Sequence, residues 1–242
     1  MNAPPPREIV QALAPTATLR IGVYPGSPFS LLRDAASGDA AGIVVDVGRA
    51  LAAHLGVPAQ LVEFPRIAEV LDALKAGEVD LGLANLSPAR AQEFIWTPPI
   101  LRIELGYLVP AGSAISSAEA IDRSNIRIGV TAGGTTHRNL ARALRHAQVV
   151  PASTIDDAVT MLADGRIDAY TTNKTNLYAM ADRLPGARVL EERWGIEQLA
   201  LAIPRGREAA RDTLCAFADA AGRNGLIAHA AARAGLRGIA AG

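Results

Sequence analysis

The chain of 242 residues carries one cysteine and four histidines. Cys215 alone cannot close an internal disulfide, and four scattered imidazoles with one thiol give no metal-ligand spacing. Neither a disulfide scaffold nor a Cys/His metal centre is expected, and no cofactor is implied. Cys215 lies in an apolar helical pattern, where the ordinary reading is a small core residue. Charge surplus is also missing: 24 Lys and Arg balance 24 Asp and Glu. No run of one sign stands out, so a nucleic-acid groove or an anionic membrane surface is not an expected partner. No apolar run approaches the roughly 18 residues of a membrane span. The start, Met1 to Arg7, is rich in proline and lacks the charged-then-apolar pattern of a secretory signal. That leaves both a removed signal and residence inside the cell open.

What is present is a regular alternation of short apolar runs and helical periods. Half of the residues are hydrophobic, enough for a sizeable core. Glu8 to Leu13 fits a short helix. Leu19 to Val23 (LRIGV) reads as a buried strand ending at the Pro25-Gly26 turn signal. Val44 to Leu55 has helical spacing and is closed by Gly56 and Pro58. Gln60 to Phe64 reads as a strand, Ile67 to Lys75 as a helix stopped by Gly77, and Val79 to Ala84 as another strand. Strands alternating with helices predict an α/β fold with a mostly parallel sheet.

The pattern then repeats. Arg20-Ile21-Gly22-Val23 recurs as Arg127-Ile128-Gly129-Val130, and LKAGEVDLGLAN (74–85) aligns with LADGRIDAYTTN (162–173), sharing Leu, Gly, Asp and Asn at four offsets. Two similar lobes are expected. The segment after Trp194 belongs to neither repeat: Leu199 to Pro204 reads as a strand, and Ala209 to Ala234 as helix interrupted at Asn224-Gly225. A returning segment that completes the first lobe accounts for it, with two crossings between lobes.

In open α/β sheets ligands bind beyond the carboxyl ends of the strands. Those positions hold Tyr24 to Ser27, Asn85 to Arg90, Ala132 to Thr136, and Asn173-Lys174. Ser87 and Pro88 suit a helix start, placing Arg90 in the first turn, where the helix dipole disfavours a cation. Arg90 is then either an ordinary exposed Arg or one kept to grip a carboxylate in a bidentate pair. Gly133-Gly134-Thr135-Thr136 precedes the helical pattern His137 to His146; free N–H groups at such a start, with the threonine hydroxyls, suit an anion. Neither GxxxxGK[ST] nor GxGxxG occurs, so this is not a nucleotide loop. Two anion-friendly elements, one per lobe, predict a clamp whose closure a shared ligand drives.

At these residues the chain resembles the type II periplasmic solute-binding proteins, specifically the polar amino-acid-binding family (family 3) of ABC importers. The likeness runs from about Leu19 to Leu236 through LRIGV with Pro28-Phe29, GIVVDV (42–47), LKAGEVDLGLANLSPAR, IRIGVTAGGTT, LADGRIDAYTTN and NGLIAHAAARAGL. It implies two mostly parallel sheets in two lobes joined by two hinge strands: residues 1–18 as an N-terminal tail, 19–103 with 196–242 as lobe 1, and 104–195 as lobe 2. It further implies a periplasmic monomer that binds a small-molecule ligand and delivers it to an ABC transporter membrane subunit. By the same resemblance Arg90 holds the ligand's carboxylate, Asn85 gives a side-chain contact, Leu83 a backbone carbonyl, and Gly134 and Thr135 donors to the same carboxylate.

Other positions depart from the family pattern. Asn173 stands where an acidic residue normally holds the ligand's α-amino group, and Lys174 next to it disfavours an ammonium. Ile43 and Val44 replace the family's aromatic and the Asp after it. Tyr24 is either a cleft-lining aromatic or lobe surface. The expectation is a kept carboxylate grip with an altered amine grip, and hence an organic acid or a modified amino acid. Two rivals remain at this stage. One is an intracellular sensor of the same fold. The other is a cyclohexadienyl dehydratase-like enzyme, for which only His137 and Glu63 offer acid–base groups near the site.

Overall fold

In the computed structural model, residues 5–34, 37–88, 90–123, 125–132, 140 and 144–240 are described. They form two units, 1–101 with 198–236, and 102–197 with 237–242.

In the first unit the strand Leu19–Val23, buried except for Arg20, pairs in parallel with the more exposed strand Ala59–Glu63, Leu19 opposite Ala59. The helix Ile43–Leu55 lies between them in sequence. Its first two N–H groups are satisfied by the carbonyls of Pro28 and Phe29 rather than by a side chain. Gly42 makes that turn possible: its φ is 141°, and a Cβ there would lie 2.1 Å from the Ser30 carbonyl oxygen. The helix Ile67–Ala76 stops at Gly77, which is left-handed with its N–H on the last turn. Leu81 then bridges Ile21 in parallel, and the strand Gly82–Asn85 runs antiparallel to Gly195–Pro204. Leu71, Leu74, Val79, Phe94 and Trp96 form one apolar core here. The expected interruption at Asn224-Gly225 separates helices Arg211–Arg223 and Leu226–Arg233, with Gly225 at φ 81°.

The second unit uses the same plan. Arg127–Thr131 pairs in parallel with Gln148–Ala152 on one side and Ala169–Asn173 on the other, and Ala169–Asn173 runs antiparallel to Leu101–Val109. The helix Ile155–Ala163 is capped by Thr154, whose hydroxyl accepts from the Asp157 N–H.

The sequence repeat has a physical basis in one motif. Arg20 donates from its backbone N–H and Nε to Asp80 Oδ2, both at 2.9 Å, and from Nη2 to Asp80 Oδ1 and the Gly77 carbonyl, both at 2.7 Å. Arg127 makes the same four bonds to Asp168 and the Gly165 carbonyl, at 2.8–3.0 Å. The shared Arg, Gly and Asp thus tie the end of a helix to the start of a strand.

The chain passes between units three times, after Leu101, Glu197 and Leu236. This corrects the assignment of all of 196–242 to lobe 1. The last described residues are held in the second unit: Glu104 N–H donates to the Gly238 carbonyl at 2.9 Å, Ala240 N–H to the Arg102 carbonyl at 2.8 Å, and Thr175 Oγ1 to the Arg237 carbonyl at 2.6 Å. Nor is 1–18 a loose tail. Arg7–Leu13 is a helix, and Ile9, Leu13 and Ala14 are buried in the first unit.

Candidate functional site

In the first unit the expected residues follow one another along a single stretch. Leu83 and Asn85 lie on Gly82–Asn85, opposite Leu201 and Leu199. Leu201 commits its N–H to Thr97 Oγ1 at 3.1 Å and its carbonyl to the Thr97 N–H at 3.0 Å. The Leu83–Leu201 pair is therefore a non-hydrogen-bonded one. The Leu83 carbonyl points to the other edge, the edge on which the Leu81 carbonyl accepts from Gly22 N–H at 2.9 Å. That direction suits the carbonyl to the contact expected of it. Leu86 N–H then donates to the Gln198 carbonyl at 2.8 Å, anchoring the exit from the strand.

Arg90 does not sit in a helix. Its N–H and that of Ala91 donate to the Ser87 carbonyl at 3.0 and 2.9 Å, forming a turn that runs straight into the strand Phe94–Trp96. The expected helix start at Ser87-Pro88, and the dipole argument attached to it, are thereby corrected: with three residues left before a buried strand there is no room for a helix. The turn is nevertheless fixed, because Trp96 Nε1 donates to the Arg90 carbonyl at 3.1 Å. Arg90 is half-buried, and its guanidinium makes no hydrogen bond or ion pair among the described residues.

Tyr24 begins the turn after Leu19–Val23. Its N–H donates to Ser30 Oγ at 2.7 Å and its hydroxyl to Ser27 Oγ at 3.3 Å. The ring is half-buried, so both readings of it stay within reach. Ile43 and Val44, which replace the family's polar-aromatic pair, are wholly buried in the core and cannot meet a ligand. Glu63 forms a surface ion pair with Arg33.

In the second unit Gly134, Thr135 and Thr136, with Gly133 and His137, lie outside the described residues. Asn173 is 9% exposed and caps the helix Lys174–Ala181: its Oδ1 accepts from Asn176 N–H at 3.0 Å. Its Nδ2 donates to Glu197 Oε2 at 3.1 Å. Lys174 is buried, with Nζ 2.8 Å from Glu104 Oε2 and 2.6 Å from the Glu191 carbonyl. Arg193 Nη1 reaches the other Glu104 oxygen at 3.0 Å. The Lys174 ammonium beside Glu104 holds that carboxyl below the usual carboxylate range, against the opposing effect of burial. The expectation that Lys174 repels an ammonium beside Asn173 is corrected: its charge is turned onto Glu104 and neutralised there.

Glu197 is the polar neighbour that sequence reasoning passed over. Its signal is faint: a half-buried acid in GIEQ, where the strand still alternates before the buried run Leu199 to Pro204.

Among the described residues no group of His, Cys, Asp and Glu could hold a metal ion, and no helix is long and apolar enough to cross a membrane. Cys215 lies half-exposed on Arg211–Arg223, with burial pushing its thiol pKa up, which argues against a reactive thiolate.

Comparison with known proteins bears on the whole chain. A curated relative, the ABC transporter glutamine-binding protein GlnH of Bacillus subtilis (strain 168), is 22% identical over 207 residues, 84% of this chain and 76% of that protein. The ancestral amino acid-binding protein AncCDT-1, a precursor of cyclohexadienyl dehydratase, superposes with a TM-score of 0.75 at 22% identity, covering 93% of this chain and 97% of that one. The solute receptor for L-cysteine of Neisseria gonorrhoeae gives 0.74 at 24% identity, covering 93% and 92%. These likenesses show the type II periplasmic-binding-protein fold. Residues 19–233 match the family described as bacterial extracellular solute-binding proteins, family 3. The described residues and that match together place the chain in one family: it belongs to the bacterial extracellular solute-binding proteins, family 3.

Proposed function

We propose that this chain is the binding component of an ABC-type importer, acting in the periplasm as a monomer and taking a small carboxylate-bearing ligand. Arg90 receives the carboxylate, the Leu83 carbonyl and Asn85 add polar contacts, and Gly134, Thr135 and Thr136 of the second unit supply donors. The observation that carries this reading is the Arg90 guanidinium, half-buried on a pinned turn and without a charge partner among the described residues. A cation held there is costly unless an anion meets it, and a planar fork of donors matches a carboxylate. The binding-protein names of the relatives support transport over catalysis. So does the chemistry of the assigned side chains, since Arg90, Asn85 and the threonines are poor general acids or bases near neutral pH.

The test is isothermal titration calorimetry of wild-type and Arg90→Ala protein against L-amino acids and simple carboxylic acids. A buried ion pair lost by truncation is expected to cost about 2–5 kcal/mol, roughly 30- to several-thousand-fold in Kd. Binding by wild type that survives unchanged in Arg90→Ala would refute the assignment.

A further inference from the structure

Asn173 has both ends of its amide committed. Oδ1 accepts the Asn176 N–H at the start of the helix, which fixes the orientation of the amide, so the donor end faces Glu197 Oε2. An amide used this way offers a ligand cation nothing; it orients a carboxylate instead. Glu197 is half-exposed, and a carboxylate has about four lone-pair directions, of which the Asn173 bond takes one. The nearby cations Lys174 and Arg193 pair with Glu104. Gln198, the residue after Glu197, accepts the Leu86 N–H, in the stretch between Asn85 and Arg90.

We propose that Glu197, positioned by Asn173, receives an ammonium group of the ligand. The ligand is then an amino acid rather than a simple organic acid: one charged end goes to Arg90 and the other to Glu197. This rests on the carboxylate-binding reading above and names its substrate class. The negative charge that residue 173 does not carry is supplied from the strand Gly195–Pro204, and Asn173 is a positioning residue.

The test is a thermal-shift screen of the proteinogenic L-amino acids, each beside the 2-hydroxy acid with the same side chain. Calorimetry follows on wild type, Glu197→Gln and Glu197→Asp with the strongest pair. Wild type is expected to prefer the amino acid by at least tenfold. Glu197→Gln, melting where wild type melts, should lose that preference while still binding the hydroxy acid, and Glu197→Asp should restore part of it. A full preference kept in Glu197→Gln, or a wild type that binds the hydroxy acid as tightly as the amino acid, overturns the role of Glu197 and leaves the carboxylate reading standing. Failure of wild type to bind either class overturns both.

Discussion

At the scale of single residues, identity and environment separate most sharply at Asn173 and Lys174. From the sequence, an amide and an ammonium beside the expected amine site look hostile to a cation. In the structure the amide is consumed in capping and in orienting Glu197, and the ammonium is buried against Glu104. Which partner a long side chain finds depends on residues tens of positions away, and no local pattern reports it. Arg90 was legible because its type matches carboxylate chemistry on its own. Its support was not legible, since Trp96 reaches its carbonyl from the next strand. Asp122 gives a further prediction at this scale. Its carboxylate accepts from the backbone N–H groups of Ala147, Arg145 and His146, which hold its pKa down to about 2. Its folded value lies below the roughly 3.9 of an unfolded Asp, so its contribution is complete above about pH 4 and fades as pH falls toward 2. Asp122→Asn should therefore melt lower than wild type near neutral pH, and the gap should narrow below pH 4. Melting curves across pH 2–7 check this.

At the scale of elements, the repeat was readable because it encodes a local mechanical need. Glycine lets the helix stop, and the Arg–Asp pair ties that stop to a strand start. The two copies differ in burial, which the sequence does not disclose. Asp80 is fully buried and also accepts from Arg207 Nη1 at 2.9 Å, whereas Asp168 is 30% exposed beside an Arg127 that is 40% exposed. Asp80→Asn should destabilise by about 3–5 kcal/mol, because two guanidinium groups lose their buried counter-charge. Asp168→Asn should cost about 0.5–1 kcal/mol, as solvent screens the pair. Urea unfolding of the two variants measures the contrast directly. The segment after Asn85 shows where element reading fails. Ser-Pro followed by small residues reads as a helix start, but the chain re-enters a buried strand at Phe94 and only a turn fits between.

At the scale of the whole molecule, strand and helix alternation with an internal repeat was enough to expect two α/β units, and the family match and structural likenesses agree with the fold. The third crossing, after Leu236, was not legible, because it depends on backbone bonds from 237–240 to Arg102, Glu104 and Thr175 rather than on any apolar period. Gly238 is the residue that permits it. Its φ is 77°, and a Cβ there would lie 2.4 Å from the Lys174 Cβ. Gly238→Ala should destabilise by about 2–4 kcal/mol, from left-handed strain plus overpacking. At Gly235, also left-handed but with open space around it, the same change should cost only about 1–2 kcal/mol. Paired denaturant titrations separate the two. For the molecule's work, the most direct measurement is the affinity of Arg90→Ala for the best amino acid found with wild type, taken beside its melting temperature. The account predicts unaltered melting with binding weakened at least thirtyfold. Equal affinity in variant and wild type would contradict it.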